Sequence, residues 1–232
     1  ILCGGMPSVV SAFVENELSL RYRKLQADIT QTFKDDFRKY RTRIDFEKLE
    51  FAFSAIPHFV CKDFKLNDLC PNYAQSTTRN ILKLFEKARI ILPIFQTYAN
   101  GIPLYSDSNL NKFKFAFLDI GLLNALSGLT DQEILRWNYN FVNSGVIAEQ
   151  AVAQELMAYS TSLFEPKLLF WKREAKGSSA EVDFVTSIGQ NIIPVEVKAG
   201  TTGRLHSLRL FLEQKKSAFG IRISQLPLTY VE

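Results

Sequence analysis

Two short β-type segments near the C-terminal end constrain the fold of this 232-residue chain more than any other feature. They cover residues 181–185 and 192–198, and a glycine-containing turn at 187–191 separates them, a pattern typical of a hairpin or a tightly connected strand pair. Successive side chains of a strand point to opposite faces. The segments are apolar on one face and charged on the other, so they predict neighbouring strands of one sheet.

The charged faces of these two strands can bring together two carboxylates and a lysine. Glu181 and Asp183 share a face of the first segment, and Glu196 and Lys198 share a face of the second. Carboxylate oxygens are the ligands that Mg²⁺ and Mn²⁺ prefer, and such an ion activates water against a phosphodiester. Lys198 would orient that water or stabilise the developing negative charge. The pattern therefore predicts a metal-dependent site at Asp183, Glu196 and Lys198.

An ordinary structural explanation fits the same residues. Charged residues that alternate with Val and Ile are typical of any half-solvated antiparallel strand. In that case Asp183, Glu196 and Lys198 would form an ion-pair cluster without catalysis.

A third carboxylate lies in an apolar helical stretch upstream. Residues 141–164 carry only two charges, Glu149 and Glu155, and either Asn143 or Ser144 could cap the start of the helix. Glu149 falls on a face too apolar for a solvated one, so its carboxyl is expected to be paired, protonated or bound to a cation. Metal contact and a helix-terminal or tertiary salt bridge both remain open for Glu149.

The order of elements predicts a mixed α/β domain over residues 131–232. The Glu149 helix is followed by strands at 168–172, around Asp183 and around Glu196, then by a helix at 205–216 and a strand at 219–224. This gives the order αβββαβ.

The first 130 residues suggest two further parts. Residues 1–56 are helical in character, with an amphipathic stretch at 20–40, a short helix at 46–53 and a break at Ile56-Pro57. Residues 57–130 show helix, turn, helix and two β-type runs at 90–97 and 113–118, which is the order of a winged helix.

The second helix of this winged-helix-like module would be its recognition helix. It covers residues 77–87, with Thr78, Arg79 and Lys83 expected to face outward and contact nucleic acid. Arg204, in a basic C-terminal stretch, would add a phosphate contact. Many winged helices instead serve in packing or protein interaction, and that alternative stays open.

Composition excludes several classes of protein. The formal net charge is +4 with a pI near 8.9, 47% of residues are hydrophobic, and no apolar run is as long as a membrane span. The start at Ile1 lacks both an initiator Met and a basic flank, so we expect no signal peptide and a soluble, cytoplasmic chain. The cysteines, Cys3, Cys61 and Cys70, imply no disulfide framework, and with His58 they fit no common zinc pattern.

Taken together, these segments resemble the C-terminal half of a prokaryotic group of AAA-type ATPases, in which a P-loop domain precedes a domain of unknown function with a restriction-endonuclease-like PD-(D/E)XK fold. The resemblance rests on residues 4–10, 77–88, 112–123, 145–149, 153–156, Trp171, 181–185 and 194–198. It implies that residues 1–56 are the remnant of the ATPase lid and that Glu149 completes the metal site. The chain contains no Gly-x-x-x-x-Gly-Lys-(Ser/Thr) loop, so ATP binding is expected only in the full-length protein.

Two functions follow as expectations. The first is a metal-dependent nuclease site that hydrolyses nucleic-acid phosphodiesters, with Mg²⁺ or Mn²⁺ as cofactor and DNA as the expected nucleic acid. The second is an inactive nuclease-like and winged-helix module that docks nucleic acid, protein or the missing N-terminal ATPase domain. No membrane partner is expected.

Overall fold

The computed structural model describes residues 1–15, 20–40, 44–135, 144–160, 167–175 and 180–230. It divides into two compact units. The first comprises Ile1–Leu92 and Phe115–Asn140, and the second comprises Pro93–Lys114 and Phe141–Glu232. Both helices and strands are present, and the strands form mixed sheets, so the expected mixed α/β class is confirmed.

The first unit has helices in the regions predicted to be helical, and it also contains two that were not predicted, over residues 120–126 and 131–135. The helical elements are α1 (Pro7–Glu15), α2 (Arg21–Asp36), a 3₁₀ turn (Phe37–Tyr40), α3 (Phe46–Phe59), α4 (Leu66–Leu69), α5 (Gln75–Lys87), α6 (Ile120–Leu126) and α7 (Asp131–Leu135).

Aromatic rings from several elements form the core of this unit. The Phe53 ring centroid lies 5.3 Å from that of Phe37, 6.2 Å from that of Phe85 and 6.2 Å from that of Phe117. All four side chains are buried. Because aromatic pairs at these spacings add to the free energy of burial, the rings stabilise the packing of α3 and α5.

The predicted break at Ile56-Pro57 is wrong, because α3 continues through Pro57 to Phe59. Proline removes one backbone donor and disfavours helical geometry before it. Here it lies two residues from the helix end, so only one hydrogen bond within the helix is lost. Burial of Phe53 and Ile56 on the same helix outweighs that loss.

The first residues of the chain are held by a polar side chain of α2 and by Asp119, the N-cap residue of α6. The Gly5 N–H donates to Oδ2 of Asp119 over 2.6 Å, and Gln26 Nε2 donates to the carbonyl oxygens of Leu2 and Cys3. Gly4 adopts a φ of +71°, which favours glycine. This segment is therefore an ordered part of the first unit.

The strands and remaining helices also follow the predicted order. They are β1 (Ile91–Thr97), β2 (Ser108–Phe117), α8 (Ser144–Ala158), β3 (Leu168–Lys172), β4 (Glu181–Val182), β5 (Phe184–Ile188), β6 (Asn191–Val197), α9 (His206–Lys215) and β7 (Ile221–Ile223). The predicted cap residue Asn143 lies outside the described residues.

The strands form two hydrogen-bonded sheets, with orders β2-β1-β3-β4 and β5-β6-β7. β3 runs parallel to β1 and antiparallel to β4; β6 runs antiparallel to β5 and parallel to β7. The predicted hairpin is the β5–β6 pair, closed by Gly189 at a φ of +58° and Gln190. The sequence pattern therefore identified this pairing.

The predicted continuous strand over 181–185 is wrong, because it is split at Asp183. β4 pairs with β3, whereas β5 pairs with β6, and Asp183 lies between them. The Val197 N–H donates to Oδ2 of Asp183 over 2.7 Å, so the Asp183 side chain takes a backbone donor at the end of β6. This contact fixes the carboxylate where the chain passes from one sheet to the other.

Apolar side chains of both sheets and of α9 form the core around this crossing. Val182, Phe184 and Phe211 are buried, and the ring centroids of Trp171 and Phe211 lie 5.2 Å apart. The apolar face predicted for residues 181–185 is therefore confirmed.

The middle of the chain has the predicted order of α4, α5, β1 and β2. β1 also pairs with β3, so the two strands are part of a larger sheet rather than an isolated hairpin. The winged-helix assignment stays a prediction. None of the helices in the described part of the chain combines the length and hydropathy that a membrane span requires.

Candidate functional site

The predicted residues of the C-terminal site all lie in the second unit. Asp183 stands at the β4–β5 break, Glu196 on the central strand β6, and Lys198 directly after it. The Lys198 N–H donates to the Ile223 carbonyl over 2.8 Å, which holds the chain beside β7 beyond the end of β6. Glu149 lies on α8, which packs against β6.

Glu196 is the most enclosed of these carboxylates, with 5% of its surface exposed. Its Oε1 accepts a hydrogen bond from Lys198 Nζ at 2.5 Å. Its Oε2 is buried and has no hydrogen-bond partner among the residues that the structure describes. Burial raises the pKa of Glu196, the negative charge of Asp183 raises it further, and the Lys198 ammonium opposes both effects.

The pKa of Asp183 is shifted by the same surroundings. Burial raises its pKa, while the hydrogen bond from Val197 and the positive charges of Lys198 and Lys114 lower it. Two lysines therefore act on one carboxylate at the sheet crossing.

The pKa of the Glu149 carboxyl is raised to about 8. Burial is the main cause, the negative charge of Asp183 is the next, the Lys114 ammonium opposes them, and Glu181 and Glu196 add smaller upward effects. Without a bound cation this carboxyl is therefore largely protonated at neutral pH. The structure thus brings Glu149, Asp183 and Glu196 into one electrostatic neighbourhood, while their role as metal ligands stays a prediction.

The structure adds residues to which sequence reasoning gave no role. Glu181 pairs through Oε1 with Lys114 Nζ and through Oε2 with Lys172 Nζ at 3.0 Å. The Lys114 side chain is 7% exposed, and its Nζ lies 5.0 Å from the centroid of the Phe170 ring. Lys114 comes from β2, far from Glu181 along the chain, so no local spacing links the two. The only sequence signal is a lysine between Phe113 and Phe115 in an apolar run.

A glycine-containing loop lies over Lys198. Gly203 has a φ of +137°, and a Cβ added there would lie 2.7 Å from Cδ of Lys198. Arg222 of β7 donates from its guanidinium to the Thr201 carbonyl over 2.9 Å, which anchors the same loop. The φ at position 203 is one that residues with a Cβ rarely adopt, so glycine is favoured where the loop approaches the lysine.

The predicted nucleic-acid residues fall in both units. Arg79 and Lys83 are exposed on α5 of the first unit, and Arg204 is exposed in the loop after Lys198 of the second. Thr78 was expected to face outward, and this is wrong because it is fully buried. It continues the i, i+3, i+4, i+7 stripe of the helix with Ile81, Leu82 and Phe85, so it packs inward with them.

The donor set fits a hard divalent cation in its chemistry. Glu149, Asp183 and Glu196 offer oxygen ligands, and the unpartnered Oε2 of Glu196 is a buried acceptor without a donor. In the part of the chain that the structure describes, no group of three or more His, Cys, Asp or Glu side chains is arranged to hold an ion. Lys198, Val197 and the two lysines on Glu181 occupy several of the carboxylate oxygens instead.

Comparison with known proteins identifies two families along the chain. Residues 144–227 match a domain of unknown function, DUF4143, and domains of this family occur in C-terminal regions associated with AAA-type ATPases. Neither the search of curated proteins nor that of solved structures found a match. Residues 1–133, more than half of the chain, match a second domain of unknown function, DUF8612, and the chain therefore belongs to the DUF8612 family.

Proposed function

We propose that the second unit hydrolyses nucleic-acid phosphodiesters at Asp183, Glu196 and Lys198, with Mg²⁺ or Mn²⁺ as cofactor and Glu149 as an additional ligand. The observation that carries the proposal is the unpartnered Oε2 of the buried Glu196, next to a second carboxylate and a lysine. DNA is the nucleic acid that we propose as substrate.

A buried carboxylate oxygen without a donor is costly. Leaving such a group unsatisfied costs on the order of 1–3 kcal/mol, and more when it is charged. Folded proteins rarely keep this arrangement without a role for it. A divalent cation bound by Glu196 and Asp183 would satisfy the oxygen, which supports a ligand site over a purely structural cluster.

Each residue has a distinct chemical role in this proposal. Asp183 and Glu196 would hold the ion, which when bound supplies an acidified water and neutralises charge on the phosphate. The Val197 N–H fixes the Asp183 carboxylate, and the ammonium of Lys198 would stabilise negative charge on the attacked phosphate. Lys198 is partly exposed, so its ammonium can reach a substrate.

Exposed cations would position the nucleic acid. Arg204 lies six residues after Lys198, at the end of the loop that packs over it, and would contact a neighbouring phosphate. Arg79 and Lys83 on α5 would contact phosphates through the winged-helix-like module. These contacts are independent of base sequence, so they would contribute affinity rather than specificity.

The association of DUF4143 domains with AAA-type ATPases supports the wider proposal. The chain would act as the C-terminal module of such an ATPase. ATP would then bind to a P-loop domain of the full-length protein.

A second candidate function is docking without catalysis. The ion pairs Lys198–Glu196 and Lys114–Glu181 favour it, because they already neutralise two carboxylates without a metal. In that case the two regions that match these families would serve as a nucleic-acid or protein docking module for the ATPase. Divalent-ion binding separates the two functions, since a lysine-neutralised cluster that only docks should not bind Mn²⁺.

The test is a cleavage assay on single- and double-stranded DNA and RNA with Mn²⁺ or Mg²⁺. We expect Lys198→Ala to abolish cleavage while Mn²⁺ binding survives, and Asp183→Ala to lose both. Lys24→Ala, at an exposed position of α2, is the matched control and should cleave normally. Normal cleavage by Lys198→Ala would remove Lys198 from the mechanism, and absence of both cleavage and Mn²⁺ binding would favour docking.

A further inference from the structure

Glu196 and Arg222 lie directly opposite each other in the parallel pair of strands β6 and β7. Neighbouring strands run about 4.8 Å apart, and the side chains of opposed positions extend from the same face of the sheet. Oε2 of Glu196 is a buried acceptor and Nε of Arg222 is a buried donor, and within the described segments neither has a hydrogen-bond partner. A carboxylate and a guanidinium therefore lie on opposed residues without pairing through these atoms.

A lysine on the same face binds the carboxylate instead. Nζ of Lys198 lies 2.5 Å from Oε1 of Glu196. The proposed function needs the charge of this ammonium at the attacked phosphate, which it cannot fully serve while it is bound to Glu196. When the ammonium moves away, a buried carboxylate loses its cation, and such a loss is strongly destabilising. A second partner for Glu196 would remove this cost.

We propose that Arg222 is this second partner: its Nε donates to the Glu196 carboxylate when the Lys198 ammonium moves to a substrate phosphate. Arg222 is then a positioning residue, because it keeps Glu196 paired and in place while Lys198 acts. A carboxylate turns readily about its last side-chain bond, so either oxygen can accept this hydrogen bond. The inference rests on the proposed function, but the exchange of partners needs no metal ion and can be followed without one.

The loop after β6 contacts both cations. Nη2 of Arg222 donates to the Thr201 carbonyl over 2.9 Å, which fixes the outer end of the guanidinium and leaves Nε on the buried side. A Cβ at Gly203 would lie 2.7 Å from Cδ of Lys198 and 3.1 Å from its Cε, so the loop confines the lysine stem. The Lys198 side chain is 25% exposed, so its ammonium can turn from Glu196 towards the surface.

A purely structural role for Arg222 makes a different prediction. If Arg222 only anchors the loop through Thr201, its replacement destabilises the chain equally whether or not Lys198 is present. If Arg222 is the second partner, its replacement destabilises the chain more once Lys198 is gone, because Glu196 then has neither cation. A double-mutant cycle measures this difference, and the loss of the Thr201 bond cancels because it occurs in both backgrounds.

The experiment is urea denaturation of the whole chain in EDTA at pH 8, with Arg222→Met, Lys198→Met and the double variant. Methionine at position 198 keeps an apolar stem beside Gly203. We expect Arg222→Met to raise the unfolding equilibrium constant on the order of tenfold more in Lys198→Met than in wild type. In a Glu196→Gln background this difference should disappear, because the amide carries no charge.

Arg222→Gln tests the role of the buried donor. The amide nitrogen of glutamine and Nε of arginine are both bonded to Cδ, so this variant keeps an N–H at the buried position and loses the guanidinium, as Arg222→Met does. In the Lys198→Met background it should recover part of the tenfold loss. If the double methionine variant does not fold by circular dichroism, Lys198→Met with Arg222→Gln decides: folding supports the exchange, and failure to fold overturns it.

Arg209→Met is the matched control. Arg209 is exposed on α9, so its replacement should change the unfolding equilibrium constant equally in wild type and in Lys198→Met. Equal effects of Arg222→Met in the two backgrounds, or a larger effect in wild type, overturn the exchange. A difference that persists in the Glu196→Gln background overturns it as well.

Cleavage links the exchange to the proposed function. Arg222→Met should lower kcat on the order of tenfold with little change in KM, because Lys198 then stays bound to Glu196. An unchanged kcat overturns the role of Arg222 in the reaction. If wild type does not cleave, the proposed function fails, while a coupled cycle still assigns Arg222 as the second partner of Glu196. An additive cycle beside normal wild-type cleavage overturns this inference alone.

Discussion

The ammonium nitrogen of Lys198 lies 2.5 Å from Oε1 of Glu196, and the other oxygen of that carboxylate is buried without a partner in the described chain. The two residues are adjacent on one face because side chains two positions apart in an extended segment point the same way. The lysine thus neutralises one oxygen and leaves the other available to a cation. This difference between the two oxygens of one carboxylate is the basis of the proposed site.

Gly203→Ala should disturb Lys198 without touching a carboxylate. The added methyl group would lie 2.7 Å from Cδ of Lys198, and the φ of +137° is one that alanine rarely adopts. We expect cleavage to fall at least about tenfold, as for a misplaced catalytic group, while Mn²⁺ affinity is retained. Cleavage rate and Mn²⁺ binding, measured on the same preparation, check this.

Gly200→Ala is the control for that change. It lies in the same loop, its φ is not in the left-handed region, and an added Cβ would meet no atom within 4 Å. Equal cleavage by the two variants would contradict a positioning role for Gly203.

Glu149 should make stability depend on pH in a defined direction. Its pKa is about 8 in the folded chain and near 4.5 in the unfolded one, so between these values the folded state holds a proton that the unfolded state lacks. The contribution of Glu149 to the free energy of unfolding is therefore fully present below pH 4.5. It is lost as pH rises towards 8, by at most about 1.4 kcal/mol per pH unit. Denaturant unfolding in EDTA at pH 5–9 measures this slope.

Glu149→Gln should flatten the slope, because the amide cannot ionise, and should make the protein more stable than wild type at pH 9. Glu155→Gln, at an exposed position of the same helix, is the matched control. A slope that is unchanged in Glu149→Gln would show that the Glu149 carboxyl is not the group responsible.

Gly121→Ala should destabilise the first unit. A Cβ at this position would collide with the backbone of Cys3 and lie 2.7 Å from Gln26 Nε2. Overpacking of this kind costs about 1–3 kcal/mol, whereas helix propensity alone would favour alanine by up to about 1 kcal/mol. Urea denaturation measures the free energy of unfolding of both proteins. A decrease in Gly121→Ala would show that the N-terminal segment packs on α6, and an increase would show that it does not. Gly101→Ala, whose added Cβ would have no neighbour within 4 Å, should change stability little.

Arg79→Ala combined with Lys83→Ala should weaken nucleic-acid binding similarly for all sequences. If each residue contacts one phosphate, the slope of log affinity against log salt should fall by about 2 in magnitude. Thr78→Ser should leave the salt slope unchanged, since Thr78 is buried. Fluorescence anisotropy across a salt series measures both, and an unchanged slope in the double variant would contradict phosphate contact by α5.

Local pattern was sufficient for much of this fold. The β5–β6 hairpin, α8 and α9 follow from alternation, helical periodicity and a turn glycine, all of which lie within short segments. The neighbourhood of Asp183 and Glu196 followed from the same segments, and the place of Glu149 beside them followed from the family resemblance. These features depend on neighbours in the sequence, which explains why they were predictable.

Two of the errors depend on tertiary contacts. The strand break at Asp183 is associated with a hydrogen bond from Val197, and the continuation of α3 past Pro57 with core burial. The inward position of Thr78 follows instead from a helical stripe with Phe85 that the sequence already contains. Lys114 was overlooked because only the folded sheet brings it to Glu181. Sequence pattern alone carries no record of these long-range partners.

The most direct test of the proposed site is a Mn²⁺ titration of wild type and of Asp183→Ala, with binding measured by calorimetry at pH 8. The proposed site predicts saturable binding in wild type that is lost in Asp183→Ala, with both proteins folded by circular dichroism. Equal binding by the two proteins, or no binding by wild type, would contradict it.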